Sequence, residues 1–319
     1  MDFMPFKVTG AITGMLRSSD PNKDPVAAQF WPRPEESIIK EYETTDPLGD
    51  NLYKTASRVV HHYYDRMLLL VNDRCAAYCR YCFRRHFTGQ EGSRITAEEL
   101  SEACLFLKDH PQIDEVLITG GDPLSLSNSN IKDIISSLKD TKQELTVRIG
   151  TRVPIVMPKR IDEGLLRVME EYGPIWMILH INHVQEITPD FIKAIGDLRK
   201  TGVQFLNQSV LLKGVNDDWQ VLKTLYRRLL QLGIKPYYLF QGDLASGTSH
   251  FRVDIRKGLT IMEKLRQHLS GMGIPTYAVD LPQGGGKVPL TEDRISHEDD
   301  KWYYIKNLEG HIYPYPKEV

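Results

Sequence analysis

The chain has 319 residues, 41% of them hydrophobic and 26% charged, and its 40 basic side chains face 42 acidic ones for a formal net charge of −2. That balance excludes a nucleic-acid binder working through a basic surface and a disordered charged tail, and leaves a folded enzyme with material for a large core. The length exceeds the commonest domain size, yet α/β barrels reach it as one unit, so one catalytic body with extensions is expected. Residues 1–10 carry no charged segment leading into an apolar one, and no apolar run approaches a membrane span; a cytoplasmic protein without membrane association is expected.

In chain order, residues 1–60 contain Pro-rich polar segments and read as a partly helical N-terminal extension. The continuous apolar run over 66–72 predicts a strand buried on both faces. Further strands are expected over 115–119, 144–150, 175–182, 203–212 and 236–240, alternating with helices over 97–109, 128–139, 162–171, 189–200, 218–231 and 255–269. Thr96, with Glu99 three residues on, predicts a capping box at the start of the first helix. Six strand–helix units specify a parallel sheet with right-handed crossovers, which periodicity leaves open between a partial barrel and a doubly wound sheet. Beyond about residue 270 the alternation stops, and 302–314 reads as a hairpin closed by Leu308, Glu309 and Gly310. The expected organisation is an extension over 1–60, an α/β body over 61–270 and a C-terminal segment over 271–319.

Three of the four cysteines, Cys75, Cys79 and Cys82, follow the first strand in the spacing C-x₃-C-x₂-C. Three thiolates on one loop can hold a 4Fe–4S cluster by three irons and leave the fourth open. Structural zinc needs four closed ligands, and Cys104 lies on a separate predicted helix, where it reads as a small buried hydrophobe. The spacing resembles that of the radical S-adenosylmethionine (SAM) superfamily, in which SAM occupies the open iron; the resemblance implies a six-unit partial TIM-type barrel. At the end of the second strand, Gly120 and Gly121 remove side chains where a ligand approaches backbone, and Asp122 can grip an α-ammonium. Taken alone, Gly-Gly-Asp-Pro is an ordinary turn; its place one unit after the cysteines favours a SAM-binding loop. Lys287 directly follows three glycines. It reads as a nucleophile toward an aldehyde such as pyridoxal phosphate (PLP), or as a surface turn, and Val288 in place of Ser or Thr argues against a phosphate loop.

From about residue 60 onward the chain resembles the lysine 2,3-aminomutase family, radical SAM enzymes that also use PLP. The matching segments are the cysteine loop, the glycine–lysine loop and residues 148–154, 180–183, 207–212, 242–244 and 249–252. The resemblance implies that Lys287 carries PLP, that Arg66 and His62 lie at its phosphate, and that His180 and Gln208 belong to the SAM site. It implies further that Arg84 pairs with the substrate carboxylate, while Asp243 and Asp280 bind the far ammonium of L-lysine. His62 departs from the family pattern, which has arginine there. Asp218 stands where the family carries a zinc cysteine, so that zinc site is expected to be absent. The implied reaction moves the amino group from C2 to C3 of a small-molecule amino acid and draws one electron from a donor such as flavodoxin or ferredoxin; a homo-oligomer is implied as well. Alternatives are arginine as substrate and a relative that modifies a lysine of elongation factor P, which lacks the aspartate pair and the Gly-Gly-Gly-Lys form. A simple iron–sulfur electron carrier would need no Lys287, and a PLP enzyme without radical chemistry would need no cysteine loop.

Overall fold

The computed structural model describes residues 4–86, 88, 93–291 and 293–317. Ten strands form one sheet in strict chain order: β1 (Lys54–Ala56), β2 (Val59–Tyr63), β3 (Arg66–Asn72), β4 (Glu115–Gly120), β5 (Thr146–Thr151), β6 (Ile175–His180), β7 (Gln204–Val210), β8 (Lys235–Phe240), β9 (Thr276–Leu281) and β10 (Gly286–Pro289). Strands β3 to β9 pair in parallel, and β2 and β10 close the two sides antiparallel. Helices α3 (Ala97–Asp109), α4 (Asn128–Thr141), α6 (Glu163–Glu171), α7 (Pro189–Lys200), α8 (Trp219–Gln231) and α9 (Ile255–His268) connect successive parallel strands. Three shorter helices complete the set, α1 (Gly10–Met15) and α2 (Pro25–Phe30) in the extension and α5 (Val153–Val156) after β5. This is the expected α/β class, a partial barrel of TIM type.

Each connecting helix starts where its sequence provides an oxygen for the free amides of the first turn. Thr96 Oγ1 accepts from the Glu99 amide at 3.1 Å while Glu99 Oε2 accepts from the Thr96 amide at 2.9 Å, the predicted capping box. Ser127, Asp162, Thr188, Asp218 and Asp254 cap the other five. Asp218, at the position of the family's zinc cysteine, therefore serves the start of α8. In β4 and β5 fully buried residues alternate with half-buried ones. The buried set, with Val116, Ile118, Val147 and Ile149, shares one core with Leu107, Ile131, Ile135 and Leu138 of the helices. The helical face of the sheet is thus sealed, and the opposite face is left partly open for ligands.

Two differences from the sequence reading concern the edges. The parallel series runs one strand past residue 270, because β9 pairs with β8 and β10 folds back on β9. No helix follows β9, so no strand–helix alternation announces it. At the other edge the extension supplies β1 and β2. Beyond β10, β11 (Ile295–Glu298), β12 (Trp302–Lys306) and β13 (Ile312–Pro316) form a separate antiparallel sheet that includes the predicted hairpin.

The extension is bonded into the barrel by buried charge. Glu36, 4% exposed, accepts from Arg80 Nε at 2.9 Å and Arg85 Nη2 at 2.7 Å, and both arginines belong to the cysteine loop. Burial alone would raise the Glu36 carboxyl, but the two guanidiniums hold it below its ordinary value. Removing one partner of a buried pair leaves an uncompensated charge at a cost of about 3–5 kcal/mol. Glu36→Ala is expected to lower unfolding free energy by about that amount in a denaturant titration, whereas Ala at exposed Glu35 should change it by no more than about 0.5 kcal/mol.

Candidate functional site

The cysteine loop leaves the C-terminal end of β3, where barrel folds carry their chemistry. Its start is stitched to the end of β4: the Asn72 amide side chain donates to Arg74 O at 2.9 Å and Asp122 O at 3.1 Å, and the Asp122 amide donates to Arg74 O at 2.9 Å. The glycine pair makes this approach possible. Gly120 has φ +119°, and a Cβ there would lie 2.4 Å from Asn72 O; at Gly121 it would lie 2.3 Å from Arg74 O. The backbone the glycines admit is the chain's own cysteine loop, a different reason from the ligand approach expected of them.

Asp122 also has work inside the fold. Its Oδ1 accepts from Thr151 Oγ1 at 2.7 Å and from the Leu124 amide at 3.1 Å, while Oδ2 accepts from the Arg152 amide at 2.7 Å. Both oxygens are engaged, and the carboxyl clamps β4 to β5. Burial pushes that carboxyl up to about 6.

Cys75, Cys79 and Cys82 are free and half-buried. Burial, reinforced by the neighbouring Cys79, pushes the Cys82 thiol up to about 11, and Cys75 is raised in the same way. Thiols in such surroundings ionise when a metal's charge compensates them. Among the described residues no three His, Cys, Asp or Glu side chains close on a single ion. Structural zinc takes four protein ligands, whereas a cubane can be held by three thiolates that sit on separate irons. The donor set therefore fits a 4Fe–4S cluster held by three thiolates.

Arg152, for which the sequence offered only membership of a matching segment, organises the surroundings. Its Nη1 donates to Cys79 Sγ at 2.8 Å and Tyr81 Oη at 2.7 Å, and its Nη2 donates to Gln29 Oε1 and Glu186 Oε2, both at 2.6 Å. The guanidinium also lies 4.5 Å from the Phe30 ring centre. Asn182, two residues past the end of β6, ties the same group, donating to Tyr81 Oη at 2.7 Å and Gln29 Oε1 at 3.0 Å. His180 stacks on Tyr81 with ring centres 5.6 Å apart. Burial, assisted by the Arg152 charge, pushes His180 down to about 3, so its imidazole is neutral at pH 7. Gln208 on β7 pairs directly with His180 on β6 in the sheet register. The two expected SAM-site residues are thus side by side, and the cysteine loop reaches them through Tyr81.

The second group gathers at the β9–β10 hairpin. Lys287 pairs in register with Asp280, and its Nζ lies 3.1 Å from Asp280 Oδ1 and 3.2 Å from Oδ2. The ammonium sits 4.4 Å from the Phe240 ring centre and 5.3 Å from that of Tyr238. Asp243 completes the acidic side: burial, with repulsion from Asp280, pushes its carboxyl up to about 7. His62 stacks between Tyr53 at 3.9 Å and Tyr63 at 4.5 Å. Burial lowers its proton affinity, and the charges of Asp280, Asp50, Arg66 and Lys287 all act on it. Arg66 lies over Tyr63 at 4.1 Å, its guanidinium half-exposed and bonded to Asp65 at 2.8 Å. A nucleophilic lysine with a guanidinium and an imidazole nearby suits an aldehyde that bears a phosphate, as PLP does. Arg84, held by Asp50 at 2.9 Å, adds its charge to those acting on Asp243.

Residues 69–225 match the Radical SAM superfamily and residues 262–318 match the family described as Lysine-2,3-aminomutase. The L-lysine 2,3-aminomutase of Methanococcus maripaludis is 37% identical over 315 residues, covering 99% of this chain and 73% of the relative. The chain belongs to the lysine 2,3-aminomutase family. It is an isomerase of the radical SAM type, and the family's cofactors are a 4Fe–4S cluster, SAM and PLP. A glutamate 2,3-aminomutase of Clostridioides difficile is 38% identical over 272 residues, covering 85% of this chain and 64% of that relative, so related sequences serve different amino acids. Among solved structures, Streptococcus suis SuiB bound to S-adenosylmethionine is similar in fold, with a TM-score of 0.51 at 14% identity over 68% of this chain and 50% of that one. Among the described residues no helix is long and apolar enough to cross a membrane.

Two outcomes follow for this member of the family. Alanine at Cys75, Cys79 or Cys82 should abolish iron binding in anaerobically reconstituted protein, because two thiolates are too few for the cluster, while Cys104→Ala keeps its iron; loss of iron from Cys104→Ala overturns the three-ligand reading. The second concerns pH. Asp243 binds its proton more tightly in the fold than its ordinary 3.8 allows, so its contribution to stability is complete below pH 3.8 and lost as pH rises through about 7. The difference in unfolding free energy between parent and Asp243→Asn apoprotein should therefore shift in favour of the variant between those limits, and a difference independent of pH would contradict the burial described.

Proposed function

We propose that this chain is a 2,3-aminomutase for a free amino acid whose side chain ends in a cation, with L-lysine the best fit. The observation that carries the reading is the pair of half-buried carboxylates Asp243 and Asp280 beside Lys287. Two carboxylates that repel each other in a desolvated place are stabilised by a cation set between them. A lysine ammonium supplies one, whereas the side-chain carboxylate of glutamate would add a third negative charge.

The remaining residues take roles by position. Cys75, Cys79 and Cys82 would hold the cluster, His180 and Gln208 would line the SAM site, and Lys287, Arg66 and His62 would hold PLP by its aldehyde and phosphate ends. When bound, the cluster with SAM supplies hydrogen-atom abstraction, and PLP supplies the π-system across which an amino group passes between neighbouring carbons. Arg152 fixes Cys79 and keeps a positive charge beside the thiolate. Asp280 neutralises the Lys287 ammonium until the amine is used, and its oxygens, 3.1 and 3.2 Å from Nζ, are placed to receive the proton that Nζ must lose to act as a nucleophile. Phe240 and Tyr238 lay ring faces beside that nitrogen. Arg84 offers a guanidinium for the substrate's α-carboxylate.

The test is product formation by anaerobically reconstituted protein supplied with SAM, PLP and a reductant. Lysine, arginine, glutamate and norleucine are compared, with products read by mass and retention. The 3-amino isomer of lysine should dominate, and faster turnover of glutamate would overturn the reading. Asp243→Asn should lower activity on lysine by about a hundredfold, the kinetic equivalent of unpairing a desolvated charge, and should spare norleucine.

A further inference from the structure

The extension segment 43–53 touches every wall of the substrate side. At its start, Glu43 pairs with Arg252 at 2.5 Å, Arg252 Nη2 donates to Asp243 O at 3.3 Å, and the Thr44 amide donates to Leu244 O at 2.8 Å. At its end, Tyr53 Oη donates to Gly284 O at 3.0 Å in the hairpin that carries Lys287, and its ring lies on His62. Between these anchors the chain makes a tight turn. Gly49 has φ +69°, and a Cβ there would stand 2.8 Å from the Gly284 amide nitrogen. Asp46 fixes the turn by accepting from the Asp50 amide at 2.9 Å and the Asn51 amide at 3.0 Å.

The turn delivers the Asp50 carboxylate to Arg84. Oδ2 of Asp50 accepts from Nη2 at 2.9 Å and from Nε at 3.2 Å, which occupies the side edge of the guanidinium. The end edge is different: among the described residues Nη1 has only Thr119 Oγ1, at 3.5 Å. A guanidinium is planar and carries five N–H donors, so one carboxylate on the side edge leaves the end edge able to bind a second. The Phe83 ring, 4.7 Å from the guanidinium carbon, steadies the plane.

We infer that Asp50 is a positioning residue for substrate recognition: it holds Arg84 by Nε and Nη2 and leaves Nη1 and Nη2 facing the α-carboxylate of the amino acid. The inference rests on the reading that Arg84 takes that carboxylate. An arginine free to change rotamer loses entropy when it binds, and one already fixed does not. Because the same segment is bonded to the Asp243 loop and to the Lys287 hairpin, Asp50 also sets where the carboxylate end lies relative to the cation end, and so the length of side chain that spans them.

The experiment uses cofactor-reconstituted protein and compares binding of L-lysine with that of L-lysinamide, which lacks the carboxylate, by equilibrium dialysis. Asp50→Asn should weaken L-lysine about tenfold, the worth of a charge-assisted hydrogen bond, and leave L-lysinamide within about twofold. Iron and PLP contents should match the parent, and Asp50→Glu should recover part of the loss. Equal weakening of both ligands, or lysine binding within about twofold of the parent, overturns the positioning role. Arg84→Lys separates the two levels. If it weakens lysine while Asp50→Asn does not, only the role of Asp50 falls; if it leaves lysine binding unchanged, the assignment of the carboxylate to Arg84 fails, and this inference falls with it.

Discussion

A single buried guanidinium holds the reactive end of this molecule together. Arg152 is taken out of water at a cost of several kcal/mol, and that cost is offset only because its donors find Glu186, Gln29, Tyr81 and Cys79. Burial alone would lower its proton affinity, but Cys79, Tyr81 and Glu186 together keep it a cation. Its partners come from four places: the turn after β6, helix α2 of the extension, and two points on the cysteine loop. Through its amide it also meets Asp122 at the end of β4. The cysteine loop is therefore fixed by groups that the extension, the end of β4 and the turn after β6 bring together.

Along the open face of the sheet the electrical character changes. Near the cysteines the surroundings are cationic and dry, with a neutral His180 and an arginine against a sulfur. Toward the β9–β10 hairpin two carboxylates press on each other, and Lys287 is drawn to one of them. On the reading proposed above, the cationic end of the substrate would face these acids and its carboxylate would face Arg84. The barrel supplies orientation through this gradient of fixed charge, which costs no reorganisation when the substrate enters.

Much of this was legible in the sequence where a local signal existed. The helix starts were readable because each has a Ser, Thr or Asp at the right offset, and the spacing of the three cysteines marked the loop that Arg152 holds. Lys287, Asp280 and Asp243 were readable through resemblance, and the structure gathers them. The glycines at 120 and 121 were singled out correctly as places of close approach, yet the partner is Asn72 and Arg74, which no pattern near residue 120 could disclose. Arg152 with Glu186, Glu36 with Arg80, and Asp50 with Arg84 share the same difficulty. A buried ion pair between residues far apart in sequence leaves no periodic trace, and each member alone resembles a surface charge. Strand β9 was missed for a simpler reason, the absence of a following helix.

Strict chain order in the sheet bears on how the protein is made. Neighbouring strands from β3 to β8 meet partners a few dozen residues away, so the iron loop and its helices can condense while the rest of the chain is still being synthesised. Tyr53 and Gly284 are 231 residues apart and can meet only after β10 exists. Contacts of that separation carry the largest loop-closure entropy and form late. The hairpin that carries Lys287 is thus the last part of the sheet to close onto the segment at 43–53, so the geometry around that lysine is completed only when the two edges of the sheet are bridged.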